Sequence, residues 1–525
     1  MIYKRLFIPA QDIEFLPTPV RSFFREPEKW KNFFDFHPNL KQDLEARIQD
    51  FSFSQEQREL LVSVLIEQKH GNPTSQNLAK KLLNPKCFAI VTGHQPLIMG
   101  GPLFFWYKIL GVIHLAKVCQ SYFTEYEFIP VFWLAGEDHD LAEALTFPAQ
   151  DGLQTFLEPL EHYKGAVGRL GQSYLQGCLK EIIQRYPDIS AQPWFSVFER
   201  YYKNSLNLAE ATLKIIDALF CSAGLLTINP DDKTLKSSFL PWFHKELTTS
   251  FVKKGLDESR LFFRKYDLKE QIQARSINIF YISENSRMPV QLADQGHFWI
   301  ESEKVSLDEL LQRPESLSPN VALRPVYQQQ VLPCVAYIAG PSEFNYWLQL
   351  PPVFQWAGLP FPRPILRPMA AFVPQKYIHW WRNLALPSSW ILLHPEKYLK
   401  TLADRELQFQ KQSESHISTI LEELQQLKKL ISHIDTSLTK SADATTKKFA
   451  HTLVKLQKIA YKSWNRRHAG DINKLMQLYS MIFPNGQFQE RELGIMNFSF
   501  LQGSNFENLF LSECEYSEGI HIYGY

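Results

Sequence analysis

The chain has 525 residues and a mass of 61.2 kDa, enough for roughly three or four compact units rather than a single core. Hydrophobic residues make up 45% and charged residues 21%, ordinary globular usage that argues against extensive disorder. Lysine and arginine number 56 against 55 acidic residues, so the basic excess of a dedicated nucleic-acid binder is missing and a small mixed-charge substrate fits better.

The N-terminus, Met1-Ile2-Tyr3-Lys4-Arg5-Leu6-Phe7-Ile8-Pro9, has no apolar signal core before acidic residues begin, and secretion is not expected. The first ninety or so residues read as helical and aromatic-rich, with amphipathic stretches such as Gln55–Glu67. Lys86–Thr92 is a short apolar run bounded by Pro85 and Gly93, as a buried parallel strand would be. The turn Gly93-His94-Gln95-Pro96-Leu97-Ile98-Met99-Gly100-Gly101 follows. Pro102 suits the first turn of a helix over Leu103–Val118, where a missing N–H costs nothing. A second strand, Phe128–Leu134, ends at Ala135-Gly136-Glu137-Asp138-His139-Asp140. Strand, helix and strand with short connections form a βαβ unit of a mostly parallel sheet.

Leu225–Asn229 and Val335–Ile338 read as further strands of that sheet, with insertions of helices and irregular hairpins between them. The predicted class is α/β, in seven segments. Residues 1–149, 218–235 and 318–395 supply the core, and 150–217 and 236–317 are the insertions. Residues 396–480 form a long helical segment, and 481–525 a return segment that starts at the turn Phe483-Pro484-Asn485-Gly486. In the helical segment Ile417, Ile420, Leu424, Leu427, Ile431, Ile434 and Leu438 alternate steps of three and four, with Glu422, Glu423, Lys428 and Lys429 placed outside. That is a coiled-coil seam; Leu453, Leu456 and Ala460 extend it as a helical hairpin or a long broken helix. The stripe serves either a second subunit or the chain's own packing.

The sequence reads as holding no 18-residue apolar run, so no membrane span is expected. Cys87, Cys119, Cys178, Cys221, Cys334 and Cys514 are scattered with no CxxC pair, against a zinc knuckle or disulfide framework and in keeping with a reducing cytoplasm.

Three places carry chemistry. The Gly136-Glu137-Asp138-His139-Asp140 loop follows a buried strand, where ligands of open α/β sheets bind. Its ionisable groups suit Mg²⁺, a substrate amine or general-base work; the plain alternative is a solvated loop with one helix cap. The turn Thr92-Gly93-His94-Gln95, with Gly100, Gly101 and Pro102 ahead of a helix, lets backbone N–H groups approach an anion. No GxGxxG or GxxxxGK[ST] accompanies it, which leaves a dinucleotide fold or phosphate loop of those types unsupported. Arg324 and Arg367, each beside a proline, are candidate forks for a carboxylate, and Glu343 falls in the first turn of a helix that also carries Tyr346 and Trp347 after Gly340.

The segments TGHQPLIMGGPLFFWYK, PVFWLAGEDHD, LSPNVALRPVYQQQVLPCVAYIAGPSEFNYW and FPNGQFQER stand in the order and spacing of the bacillithiol cysteine-adding enzymes, the BshC family, which the chain resembles over nearly its whole length. The family usually has a second Gln where His94 stands, and glycine where Ala339 and Ser342 stand. The resemblance implies a Rossmann-like core similar to nucleotidylyltransferases and class I synthetases, with helical insertions and a coiled coil that makes a homodimer. It implies amide formation between L-cysteine and the amine of glucosaminyl-malate, with ATP (or another bound nucleotide) and Mg²⁺ activating the carboxyl group and no tightly bound metal. The KMSKS loop of class I synthetases is missing here. Carried onto this sequence, Glu137, Asp138, His139, Asp140 and His94 are catalytic, binding the amine and taking its proton. Thr92, Gly93, Gln95, Gly101, Pro102 and Lys108 face phosphate or carboxylate oxygens, and Arg324, Gly340, Glu343, Tyr346, Trp347 and Arg367 complete the substrate site. Two other readings stay open: a nucleotidyl transferase that forms no amide, and a nucleotide-binding regulator that presents its coiled coil to a partner.

Overall fold

The structure, a computed structural model, describes residues 4–69, 72–149, 151–156, 160, 163–192, 194–294, 296–400, 409–467, 469–498, 509–510 and 515–525. Two compact units divide the chain. One comprises Phe7–Ala370 with Glu490–His521; the other is built on Ala371–Gln489 with short stretches from both chain ends.

The first unit is organised by a five-stranded parallel sheet: β1 (Cys87–His94), β2 (Glu127–Leu134), β3 (Leu226–Ile228), β4 (Cys334–Ala339) and β5 (Arg363–Leu366) in the order β5-β4-β1-β2-β3. Sequences such as Cys-Phe-Ala-Ile-Val and Phe-Ile-Pro-Val-Phe-Trp-Leu show no polar alternation because both sheet faces are covered, and these residues are buried. This is the Rossmann-like α/β core. β1 runs two residues beyond Thr92, through His94, because Gly93 and His94 pair with Trp133 and Leu134. The edge strand β5, with a proline inside it, was not anticipated from the sequence.

Helix α1 (Leu103–Tyr122) closes the βαβ unit and packs on β1, β2 and β4. Pro102 precedes it as the cap residue, with φ −67° and ψ 163°, rather than entering its first turn. By length and composition α1 is apolar enough to cross a membrane, contrary to the expectation that no such run exists. Its apolarity reflects burial: fifteen of its residues, Lys108 and His114 included, are inside the unit.

Between β2 and β3 lie the helices Gln172–Arg185, Phe195–Asn204 and Leu208–Phe220. Between β3 and β4 the helices Leu240–Thr249 and Phe251–Lys265 precede a five-stranded antiparallel sheet. Its strands run Glu303–Ser306, His297–Ile300, Arg287–Leu292, Ile279–Ile282 and Leu317–Pro319 in spatial order. Cys87, Cys119, Cys178 and Cys334 are buried free thiols, and burial pushes Cys87 up to about 12 and Cys178 to about 11. Cys514 lies outside the described residues.

In the second unit α4 (Phe409–Ile434) and α5 (Thr439–Arg467) pack together as a hairpin around a turn capped by Asp435, whose carboxylate accepts the Ser437 N–H at 2.8 Å. Residues 401–408 of the expected helical segment lie outside the described residues. The heptad residues separate into two lines. Ile417, Leu424 and Ile431 are half-buried in the hairpin seam, whereas Ile420, Leu427, Ile434 and Leu438 are exposed. Lys428, expected outside, is half-buried and paired with Asp443 of the facing helix.

Candidate functional site

A cleft of ≈ 850 Å³ opens at the carboxyl ends of β1, β2 and β4. Crossover connections leave a crevice at that edge of a parallel sheet, so the loops leaving the strands line it.

At the end of β1, Gly93 is pressed between Trp133 and Tyr337: a Cβ there would sit 3.0 Å from the Trp133 carbonyl and 3.2 Å from the Tyr337 hydroxyl. The ring Nδ1 of His94 lies 3.0 Å from the Gln95 carbonyl oxygen, which can only accept, so Nδ1 carries the proton. Burial, with Lys108 nearby, lowers the His94 pKa; the ring is neutral and its Nε2 is the acceptor. Buried Gln95 donates to Glu143 in the short helix Leu141–Ala144 after the acidic loop, while no described donor reaches its Oε1.

A cationic corner forms where α1, the helix α2 (Arg324–Val331) and the helix α3 (Pro341–Trp347) meet. Lys108, buried in α1, donates to the Gly93 carbonyl at 2.8 Å and to Glu343 at 2.5 Å. Glu343 also accepts from Tyr337 Oη at 2.6 Å and from the Gly340 N–H at 3.2 Å, so it both caps α3 and holds the corner together. Burial works against its charge, but Lys108 and Arg324 outweigh it and hold the carboxyl below its usual range. Arg324 donates to Tyr346 Oη at 3.0 Å and stands 3.8 Å from Glu343. Burial draws the Lys108 ammonium below its ordinary range while Glu343 at 2.5 Å favours its charge; with both cations charged against one carboxylate, the corner has one positive charge unbalanced.

Arg367 is not the open fork expected. Both terminal nitrogens of this buried side chain are engaged by Glu490, Nη1 at 2.8 Å. Only Nε is left, buried beside Gly340 with no described acceptor.

Across the cleft stands the acidic loop, whose backbone is held by Val167 N–H on the Asp138 carbonyl at 2.7 Å and Gly168 N–H on the Gly136 carbonyl at 2.8 Å. Its four ionisable groups are held in different ways. Glu137 is buried against Lys236 at 2.6 Å; Lys236 also holds Asp231 at 2.7 Å, and Arg169 chelates Asp231. Burial lowers Lys236, yet Glu137 and Asp231 outweigh it and keep the ammonium charged. Burial outweighs Lys236 and raises the Glu137 pKa, so this cleft-lining carboxyl sits within a buried ion network. Asp140 accepts the Glu143 N–H at 3.0 Å as a helix cap. Half-exposed Asp138 is held below its ordinary value: burial opposes ionisation, Arg287 and the His139 backbone N–H at 2.7 Å favour the carboxylate, and the His139 ring adds to this only when its Nδ1 carries the proton. The His139 ring Nδ1 lies 2.9 Å from Arg287 Nη1.

The cleft thus gathers Gly93, His94, Gln95, Lys108, Glu137, Asp138, His139, Asp140, Arg324, Gly340, Glu343, Tyr346 and Arg367. It does not include Thr92, whose hydroxyl bonds the Ile338 carbonyl at 2.9 Å inside the sheet, or Trp347, stacked on Tyr337 at 4.2 Å. Gly101, at φ +58°, and Pro102 shape the turn behind His94 without lining the cleft. Sequence reasoning missed Glu143, Lys236, Arg275, Arg287 and Arg491. Glu143 was legible as the third residue after the Asp140 cap, whereas Arg275 and Arg287 stand in an insertion with no motif around them. Among the described residues no group of three or more His, Cys, Asp or Glu side chains is placed to hold a metal ion.

Comparison with known proteins bears on this geometry. Residues 7–368 match the family model of the N-terminal Rossmann-like domain of bacillithiol biosynthesis BshC, and residues 373–522 match its C-terminal coiled-coil domain. A protein of Flavobacterium psychrophilum named "Putative cysteine ligase BshC" is 30% identical over 479 residues, covering 88% of this chain and 87% of its own. Proteins of the same name from Flavobacterium johnsoniae and Cytophaga hutchinsonii are each 28% identical; the first covers 94% of both chains and the second 96%. With both domain models matched in order along the chain, the protein belongs to the bacillithiol biosynthesis BshC family.

Proposed function

We propose that the chain is a carbon–nitrogen ligase that joins the carboxyl group of L-cysteine to the amine of glucosaminyl-malate, in the last step of bacillithiol synthesis. The observation that carries this reading is the polarity of the cleft. One wall has an unbalanced positive corner at Lys108 and Arg324, with Arg367 Nε beside it; the other has the Asp138 and Glu143 carboxylates. Such a site receives a carboxylate at one wall and an ammonium group at the other. The names of the relatives, cysteine ligases, support the same chemistry.

Amide formation expels one carboxylate oxygen, which leaves readily only when bonded to phosphorus; ATP is the proposed activator. The lining fits a polyanion, since Arg275 and Arg491 are exposed guanidinium groups at the cleft in addition to the corner. Mg²⁺ would arrive with the phosphates, neutralising their charge, with Asp138 as the carboxylate available to it. Arg324 and Lys108 orient the acyl group, and Asp138 with Glu143 holds the amine against it. The exposed Ile420–Leu438 line supports a homodimer through the hairpin.

Purified full-length chain incubated with L-cysteine, glucosaminyl-malate and ATP, then followed by mass spectrometry, tests the proposal. Bacillithiol formed only with all three present supports it. Nucleotide transfer to a single acceptor with no amide would replace it by the nucleotidyl-transferase reading, and no turnover of any combination would replace it by the regulatory one.

A further inference from the structure

We propose that Arg287 is a positioning residue that acts through His139, holding its ring in the Nε2–H tautomer so that His139 meets the substrate as a hydrogen-bond donor and not as a proton acceptor. The proposal rests on the ligase reading only for the identity of the oxygen that receives this bond, the acyl oxygen that gains negative charge as the amine adds.

A guanidinium group has five N–H donors and no acceptor. Arg287 Nη1 stands 2.9 Å from His139 Nδ1, so that nitrogen must offer its lone pair and the ring proton belongs on Nε2. The competing arrangement would put the proton on Nδ1, facing Asp138 Oδ1. That contact is longer, 3.5 Å, and the same oxygen already accepts the His139 backbone N–H at 2.7 Å. Distance and occupancy both favour Arg287.

The guanidinium is itself held in place. Its Nε and Nη2 each reach the buried Ser318 hydroxyl at 3.3 Å, and Nη2 also reaches the Pro319 carbonyl at 3.3 Å. Its plane lies 4.0 Å over the Phe280 ring. Every nitrogen except Nη1 is thereby spent within the antiparallel sheet of the second insertion, to which Phe280, Arg287, Ser318 and Pro319 all belong. Nη1 is what that sheet presents to the acidic loop of the core. A ring clamped at Nδ1 offers Nε2–H from a side chain that lines the cleft.

Two measurements on the full-length chain test this. Ring-labelled [¹³C,¹⁵N]histidine, with the His139 signals assigned by their loss in His139→Gln, reads the tautomer directly. We expect Nε2–H in the unaltered chain and a shift toward Nδ1–H in Arg287→Ala. In the ligase assay Arg287→Ala should lower kcat about 10- to 100-fold, the scale at which residues that orient a functional histidine act, with KM little changed. Arg287→Lys, which keeps one donor, should recover part of that loss. In a His139→Ala background Arg287→Ala should add no further loss, since its effect passes through the missing ring. An Nδ1–H ring in the unaltered chain, or losses that add in the double variant, would overturn the proposal. The tautomer signal does not depend on which reaction the cleft performs, so a chain that makes no amide would sink the ligase reading while this one is still decided by resonance.

Discussion

Replacing Lys108 by methionine removes an ammonium group from a buried ion pair while keeping its apolar stem, and the structure sets the size of the response. Glu343 would lose the 2.5 Å contact and keep Tyr337 Oη at 2.6 Å, the Gly340 N–H at 3.2 Å and Arg324 at 3.8 Å. The Gly93 carbonyl would lose its 2.8 Å donor. Breaking a buried pair from one side costs about 3–5 kcal/mol, because the remaining charge is left in a poor solvent. The second cation at 3.8 Å puts this case at the low end, ~3 kcal/mol. For a unit of roughly 400 residues, at ~2.1 cal/mol/K of unfolding entropy per residue, that is a fall of ~4 °C in the unit's transition midpoint. Calorimetry on the full chain reads it. Glu343→Gln alone should cost a similar amount. Lys108→Met with Glu343→Gln together should cost little more than either, leaving a coupling of at least ~1.5 kcal/mol. If the double loss equals the sum of the singles within ~0.5 kcal/mol, Lys108 and Glu343 do not act as a pair and the account of the cationic corner fails.

The other expectations can be put briefly. Because the folded pKa of Glu343 lies below its ordinary 4.5, its contribution is present above that value and is lost as pH falls through the folded pKa; the destabilisation of Glu343→Gln should therefore shrink in acid, and a constant difference down to pH 3 would contradict this. Arg324→Lys keeps the charge but loses the planar fork, so affinity for glucosaminyl-malate should fall at least tenfold, about 1.4 kcal/mol, by calorimetric titration; unchanged affinity would make Arg324 structural. Asp138 is held below its ordinary value by Arg287 and the His139 backbone N–H, so it contributes no acid limb to kcat/KM between pH 4 and 9, and a limb in that range that disappears only in Asp138→Asn would refute the assignment. Leu427→Asp with Ile434→Asp, on the exposed line of the hairpin, should give a monomer with unchanged helical circular dichroism by sedimentation velocity, and a surviving dimer would place the subunit contact elsewhere.

The parallel core could be read from the chain because burial on both faces erases alternation, leaving apolar runs such as Cys-Phe-Ala-Ile-Val ended by glycine. β5 escaped because Arg363-Pro364-Ile365-Leu366 is only four residues long, with a charge and a proline, and its place at the sheet edge is a tertiary fact. The heptads were visible as a pattern but not as a partition. A repeat of three and four says that residues share one side of a helix, and it does not say which neighbour covers them. In the structure α5 covers Ile417, Leu424 and Ile431, while Leu427 and Ile434 keep their exposure. Substituting the first set therefore disturbs the hairpin itself, and only the second set can report on a partner subunit.

The site shows the same limit in chemical form. Residue types in Gly136-Glu137-Asp138-His139-Asp140 announced a polar centre at the end of a strand, but roles depend on partners far away in the chain. Glu137 is paired with Lys236, 99 positions on; Arg367, which read as a fork for substrate, is turned inward by Glu490, 123 positions on. His139 faces Arg287, 148 positions on, from a strand that no motif marks. In each case a charged neighbour changes what the side chain can do without changing what it is. A carboxylate held at 2.6 Å by a buried ammonium has a partner before any substrate arrives, and an imidazole facing a guanidinium at Nδ1 is a donor at Nε2. These pairings leave Arg367 Nε and Gln95 Oε1 buried without a described partner, and for substrate they leave the charge at the Lys108–Arg324 corner. A ligand that brings a carboxylate to that corner meets charge the fold leaves unpaired, and this is the physical ground for expecting an amino-acid carboxyl group there.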